Sequence, residues 1–128
     1  MTEEPARKVV LVADDDRDIV DLVTFGLGES GYEVLEAFDG QEALDLALER
    51  LPDLCVLDVG MPRLDGYEVT RRLRATETTR SIPIIVLTAR AQEADEERAF
   101  DAGATDYVRK PFSPLELESR VQALLEQP

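Results

Sequence analysis

The sequence predicts an α/β domain: a doubly wound, five-stranded parallel sheet with helices on both faces. Three observations lead there. The chain has 128 residues, enough for one hydrophobic core and too few for two that each bury much surface. Short runs rich in Val, Ile and Leu alternate five times with longer amphipathic segments, the pattern of repeated βα units. The first, third and fourth of those runs are almost uninterrupted, as strands covered on both faces must be. Residues 1–128 are therefore read as a single domain, with an ordered core of about 7–126.

The first strand is expected over Lys8–Ala13. In the helix that follows, Ile19, Leu22, Val23 and Leu27 recur at helical spacing, and Gly31 is a natural stop before Tyr32. A second strand is expected over Glu33–Ala37. Asp39-Gly40 opens helix two, whose Ala43, Leu44, Ala47, Leu48 and Leu51 line one face before Pro52 ends it. The third strand is Leu54–Asp58, and a shorter helix, Tyr67–Ala75, follows the Pro62/Gly66 loop. The fourth strand is Ile82–Leu87, and Gln92–Ala102 forms a helix closed by Gly103. After a fifth strand at Asp106–Arg109, Ser113-Pro114 sets a capping hydroxyl ahead of a first-turn proline, and Leu117, Val121, Leu124 and Leu125 stripe the last helix. Strands two and five carry more polar residues and are expected at the edges, joined through right-handed crossovers.

Composition removes several function classes. Lys and Arg number 14 against 28 Asp and Glu, a formal charge of −14, which opposes direct contact with nucleic acid or an anionic membrane. The longest aliphatic stretches, Val9–Ala13 and Ile84–Leu87, fall far short of the roughly 18 apolar residues of a membrane span. The opening Met1–Pro5 is acidic and has no apolar signal core, so a cytoplasmic protein is expected. Cys55 is the single cysteine and sits in an apolar run, which forbids an internal disulfide and marks a core thiol. Histidine is absent, and with it His-assisted hydrolysis, His-ligated metals and any role as the phosphohistidine member of a relay.

Ligands of a doubly wound sheet bind beyond the carboxyl ends of its strands. Strand one ends in Asp14-Asp15-Asp16, strand three in Asp58, strand four in Thr88 and strand five in Lys110-Pro111. The acidic triplet alone reads as a solvated turn and helix cap. Clustered carboxylates also suit a hard, oxygen-seeking divalent cation, and Asp58, directly after the buried run Leu54–Leu57, is a further ligand candidate. If strand one lies beside strand three, Asp14, Asp15 and Asp58 converge on one cation. Thr88 and Lys110 would then offer a hydroxyl and an ammonium to phosphoryl oxygens at the same rim.

Five segments in order carry a resemblance to a known family. They are Val9–Asp16, Pro52–Pro62, Asp65-Gly66-Tyr67-Glu68, Pro83–Ala89 and Gly103–Phe112. From about Lys8 to Leu125 the chain resembles the CheY-like receiver domains of two-component response regulators. The resemblance implies the flavodoxin/CheY-like strand order 2-1-3-4-5. It implies Asp58 as phosphoacceptor, Mg2+ or Mn2+ held by Asp14, Asp15, Asp58 and the Gly60 backbone carbonyl, and Thr88 and Lys110 on the phosphoryl oxygens. A cis Lys110–Pro111 bond is expected, and Asp16 is given a secondary part. Thr88 and the aromatic Tyr107 would act as the switch that remodels the face of helix four, strand five and helix five.

The function so implied is a signalling switch that catalyses only its own phosphorylation and dephosphorylation. Its phosphodonor would be a sensor histidine kinase or a histidine phosphotransfer protein. An effector protein or domain would read the helix four to helix five face, and a phosphorylation-dependent dimer is compatible with that. Two positions, Gly60 and Arg90, would tune the lifetime of the phosphoryl group. The alternatives are a receiver-like interaction module that is never phosphorylated, an aspartate-nucleophile phosphatase and a flavin carrier. The phosphatase lacks an acid two residues after Asp58, where Gly60 stands, and three aspartates would repel a flavin phosphate after strand one. Ending at Pro128, the chain is expected to be either a stand-alone regulator or a receiver cut from a longer one.

Overall fold

A computed structural model describes residues 7–89 and 93–126. The element order is β1 (Val9–Ala13), α1 (Arg17–Glu29), β2 (Glu33–Ala37), α2 (Gly40–Arg50), β3 (Leu54–Asp58), α3 (Gly66–Ala75), β4 (Ile84–Thr88), α4 (Glu93–Ala102), β5 (Asp106–Arg109) and α5 (Pro114–Leu125). All strand pairs are parallel and the order is β2-β1-β3-β4-β5. The expected fold class and strand order are both borne out, with β2 and β5 at the edges. Among the described residues, no helix is long and apolar enough to cross a membrane.

Strand alternation sorts the core into two layers. Leu11, Ala13, Cys55, Leu57, Ile84 and Val86 point to one face and pack under α2, α3 and α4 through Ala43, Ala47, Tyr67, Leu73 and Ala99. Val10, Val12, Leu54, Val56, Ile85 and Leu87 point to the other, under α1 and α5 through Val20, Val23, Leu27, Leu117 and Val121. Burying both faces of three central strands is the main stabilising term, at about 25 cal/mol per Å2 of apolar surface.

The sequence expectation for β4 began two residues early. Pro83 has no N–H to give to the ladder, and the flanking Ile82 is taken up elsewhere: its N–H donates to the Thr79 carbonyl and its own carbonyl accepts from Arg74 Nη1 at 2.6 Å. The strand therefore starts at Ile84 and runs on to include Thr88. The first strand likewise starts at Val9 and not Lys8. For the fourth helix, the expected starting residue Gln92 lies outside the described residues, which take up the helix at Glu93.

Helix ends follow the side chains placed there. Asp16, Asp39, Asp65 and Ser113 each accept the N–H two or three residues on, satisfying donors that a helix start leaves open. Gly31, at φ +95, ends α1: its N–H donates to the Gly28 carbonyl and the Tyr32 N–H to the Leu27 carbonyl, a closure that needs the left-handed backbone glycine tolerates. Gly66 is needed for a different reason. A Cβ there would stand 2.5 Å from the Asp58 carbonyl oxygen and 2.9 Å from its carbon, so only glycine lets the start of α3 press against the end of β3.

Two outcomes follow from this packing. Gly66→Ala should destabilise by roughly 1–3 kcal/mol through overpacking, whereas Gly28→Ala, which meets nothing within 4 Å inside α1, should stabilise by about 0.5–1 kcal/mol; urea denaturation of both variants measures the contrast. The Cys55 thiol is pushed up to about 12 by burial, with the Arg74 charge opposing. At neutral pH it is a protonated, enclosed thiol, so an aromatic disulfide reagent should label it only at the rate of unfolding.

Candidate functional site

The carboxyl ends of β3, β4 and β5 open into a cleft of about 330 Å3, lined by Asp58, Val59, Gly60, Asp65, Tyr67, Thr88, Ala89, Arg98 and Lys110. Each side chain arrives by a local device. Asp58 is the last residue of β3, and the ladder to β4 continues one residue beyond it: the Val59 N–H donates to the Leu87 carbonyl at 2.9 Å, and the Val59 carbonyl accepts from the Gly66 N–H at 3.0 Å. Lys110 follows β5, its N–H donating to the Thr88 carbonyl at 2.7 Å, and the Lys110–Pro111 bond is cis as expected.

The acidic triplet divides its labour. Asp14 is fully buried, and its Oδ1 accepts from the Asp16 N–H at 3.0 Å. Asp15 is exposed at the rim. Asp16 accepts from Asp18 N–H at 3.0 Å as the cap of α1, so the bland reading of the triplet as a helix cap is right for that one residue. Asp14, Asp15 and Asp58 each bring a carboxylate oxygen to within 4.8 Å of the others.

One ammonium answers this cluster. Lys110 Nζ lies 2.8 Å from Asp14 Oδ2 and 2.9 Å from Asp58 Oδ1. Burial works against the ammonium, but the two carboxylates outweigh it and hold the Lys110 pKa above its ordinary value. Asp58 responds in the opposite sense for an acid: burial raises its pKa, the hydrogen bond from Lys110 lowers it, and the charges of Asp14 and Asp15 add to the rise. The net direction is up, because one lysine shared between two carboxylates offsets only part of the desolvation.

The donor set fits a hard divalent cation. All three clustered groups are carboxylates, and the fully buried Asp14 Oδ2 has beside it only the ammonium of Lys110, 2.8 Å away, which it shares with Asp58. Such an oxygen is costly unless something further coordinates it. Mg2+ takes oxygen ligands and keeps several waters, so few protein groups suffice.

Thr88 is buried on the cleft wall, and Gly60 is exposed at its mouth. Tyr107 is not a lining residue. It is half-buried behind the cleft on the same sheet face as Val86, edge-on to Phe100 of α4 at 5.9 Å between ring centroids. Arg90 lies outside the described residues. Sequence reasoning missed Arg98 altogether and gave Tyr67 no role, yet the Arg98 guanidinium lies 4.6 Å over the Tyr67 ring at the cleft. Tyr67 stood within a quoted motif, whereas no local pattern on α4 singles out Arg98.

Comparison with known proteins identifies the family. The profile of the response regulator receiver domain matches residues 10–122. The chain is 47% identical over 120 residues to the alkaline phosphatase synthesis transcriptional regulatory protein PhoP of Bacillus subtilis, covering 94% of this chain and 49% of that protein. It is 42% identical over 120 residues to the phosphate regulon transcriptional regulatory protein PhoB of Pseudomonas aeruginosa, covering 94% and 52%. The chain thus spans about half the length of these curated relatives. Among solved structures, Vibrio cholerae chemotaxis protein CheY4 superposes with a TM-score of 0.88 at 34% identity, covering 94% of this chain and 100% of that one. The receiver domain of a Pseudomonas aeruginosa PAO1 sensor histidine kinase, solved with a magnesium ion coordinated in its active-site cleft, superposes at 0.87 and 35%, covering 95% and 100%.

Millimolar Mg2+ should raise the melting temperature relative to a chelator, because a cation that binds only the folded cluster stabilises it by mass action; differential scanning fluorimetry across a Mg2+ titration reads the shift. The raised Asp58 pKa also has a sign. Ionising Asp58 in the folded state is disfavoured, so its contribution to stability falls as pH climbs from the ordinary carboxylate value through the raised one. Without metal at neutral pH, Asp58→Asn should therefore melt higher than wild type, by roughly 3 °C for about 1 kcal/mol, and the gap should shrink towards pH 4.

Proposed function

The chain belongs to the response regulator receiver domains of two-component signal transduction, and from that premise we propose that Asp58 is the side chain that accepts the phosphoryl group. One observation carries the assignment: Asp58 shares Lys110 with the buried Asp14 while Asp14, Asp15 and Asp58 gather oxygens within 4.8 Å. The donor is a phosphohistidine on a sensor histidine kinase or a phosphotransfer protein, for which this histidine-free chain needs a partner. An Asp58 oxygen forms the new O–P bond as the P–N bond breaks, and the electron pair returns to the donor imidazole nitrogen. Little more than positioning and charge neutralisation is required.

Lys110, 2.9 Å from Asp58 Oδ1, offsets charge on the transferring group, and the Thr88 hydroxyl at the end of β4 donates to a phosphoryl oxygen. Mg2+, when held by Asp14, Asp15, Asp58 and the Gly60 carbonyl, supplies charge neutralisation on the phosphoryl oxygens. Burial, with the neighbouring Asp14 and Asp15 charges added, raises the Asp58 pKa, and the Lys110 hydrogen bond opposes the rise.

The output is a population shift. A phosphoryl group adds about two negative charges and strong acceptors beside Thr88. Thr88 and Tyr107 lie on one sheet face, and Tyr107 packs edge-on against Phe100 of α4, so a movement of Thr88 has a short packed route to the α4-β5-α5 face. On this reading that face is read by an effector protein or domain, the domain works in the cytoplasm, and its only chemistry is on itself. Relatives about twice its length are named as transcriptional regulators, in keeping with an effector elsewhere.

Intact mass after incubation with acetyl phosphate and Mg2+ tests the assignment. Wild type should gain one phosphoryl group, whereas Asp58→Asn and a chelator-treated sample should gain none; a gain by Asp58→Asn overturns it, and no gain by folded wild type favours the unphosphorylated interaction module. Gly60 yields a second expectation. A Cβ there would sit 3.7 Å from Asp58 Oδ2, an ordinary contact, so Gly60→Leu should fold and crowd out attacking water. Hydrolysis of the labelled protein, followed by mass, should slow by about threefold or more.

A further inference from the structure

The cleft contains a second cation to which the transfer chemistry above gives no part. Arg98, on α4, lines the cleft with Asp58, Thr88 and Lys110. Its guanidinium stacks 4.6 Å over the ring of Tyr67, which α3 holds at 2% exposure, so the ring is a fixed plate and the exposed arginine is the movable partner. With the described residues Arg98 forms no ion pair. Lys110, by contrast, is already committed to Asp14 and Asp58 at 2.8 and 2.9 Å.

The charge balance makes this cation useful. Three carboxylates face one ammonium, a divalent cation would bring the group to neutrality, and a phosphoryl dianion would return it to a surplus of about two negative charges. A stacked guanidinium keeps its in-plane N–H donors free, in a fork that matches two oxygens of a phosphate. We propose that Arg98, positioned by Tyr67, is a second anion-binding group of this cleft that engages the non-transferring oxygens of the phosphodonor as Asp58 attacks. The inference rests on Asp58 being the acceptor. With acetyl phosphate the step balances simply: the Asp58 O–P bond forms, the acyl O–P bond breaks, and acetate leaves with the bonding pair.

The test follows phosphorylation by intact mass with subsaturating acetyl phosphate and saturating Mg2+, at low and high salt. It compares wild type, Arg98→Gln, Arg98→Lys and, as a charge control on the outer face of α3, Arg71→Ala. Arg98→Gln should lower the rate about tenfold at low salt, as loss of one charge-assisted contact does, and flatten its salt dependence. Arg98→Lys should recover most of both, and Arg71→Ala should match wild type. The Mg2+-induced melting shift should be the same in all four, which separates an anion contact from a distorted metal site. An Arg98→Gln rate equal to wild type, or a slower rate with unaltered salt dependence, overturns the inference while leaving Asp58 in place. Labelling of Asp58→Asn under the same conditions would instead bring down the acceptor reading on which it rests.

Discussion

Among the described residues, three carboxylates gather at the carboxyl edge of the sheet around one ammonium that only two of them share, and much of the structure serves to hold that imbalance. Asp14 is fully buried, Asp58 nearly so, and Asp15 stands just outside, with Lys110 bridging the first two. Charges removed from water in this way are costly, and a single shared partner recovers only part of the cost. The raised pKa of Asp58 records the deficit and that of Lys110 records the attraction. A folded domain that keeps such a cluster suits a divalent cation, which offsets the surplus negative charge.

The fold makes this arrangement rigid. Parallel strands point all their carboxyl ends the same way, so four separate chain segments deliver side chains to one rim. Their positions are fixed by backbone bonds continuing just past the strands, from Val59 to Leu87 and from Lys110 to Thr88. Gly66 lets α3 close against the carbonyl of Asp58. At the opposite end of the sheet Arg74 ties α3 to the end of α4 and to the chain before β4, donating to the carbonyls of Gly103 and Ile82. The far end of α4 is thereby anchored, while Arg98 and Phe100 link its other turns to the cleft through Tyr67 and to β5 through Tyr107.

Most of this was legible in the sequence because it depends on local pattern. The apolar runs of β1, β3 and β4 identify strands buried on both faces, and the side chains that end them form the candidate site. Strand register was less legible: the start of β4 turns on where the carbonyl of Ile82 and the missing N–H of Pro83 leave the ladder, which depends on Arg74 arriving from another helix. The divided roles of the acidic triplet came from the family resemblance, not from the three residues read by themselves. Asp14, Asp15 and Asp16 are chemically alike and adjacent, and only the turn of the backbone into α1 makes one a buried ligand candidate, one a rim residue and one a cap. Arg98 was invisible because its significance lies in a ring contributed by α3.

Anomalous scattering from crystals equilibrated with Mn2+ addresses the shared cluster most directly, since it locates the cation without relying on activity. The account predicts one strong peak bounded by the carboxylates of Asp14, Asp15 and Asp58, with Lys110 in the same cleft. A peak elsewhere, or none there while Lys110 still bridges Asp14 and Asp58, would contradict it.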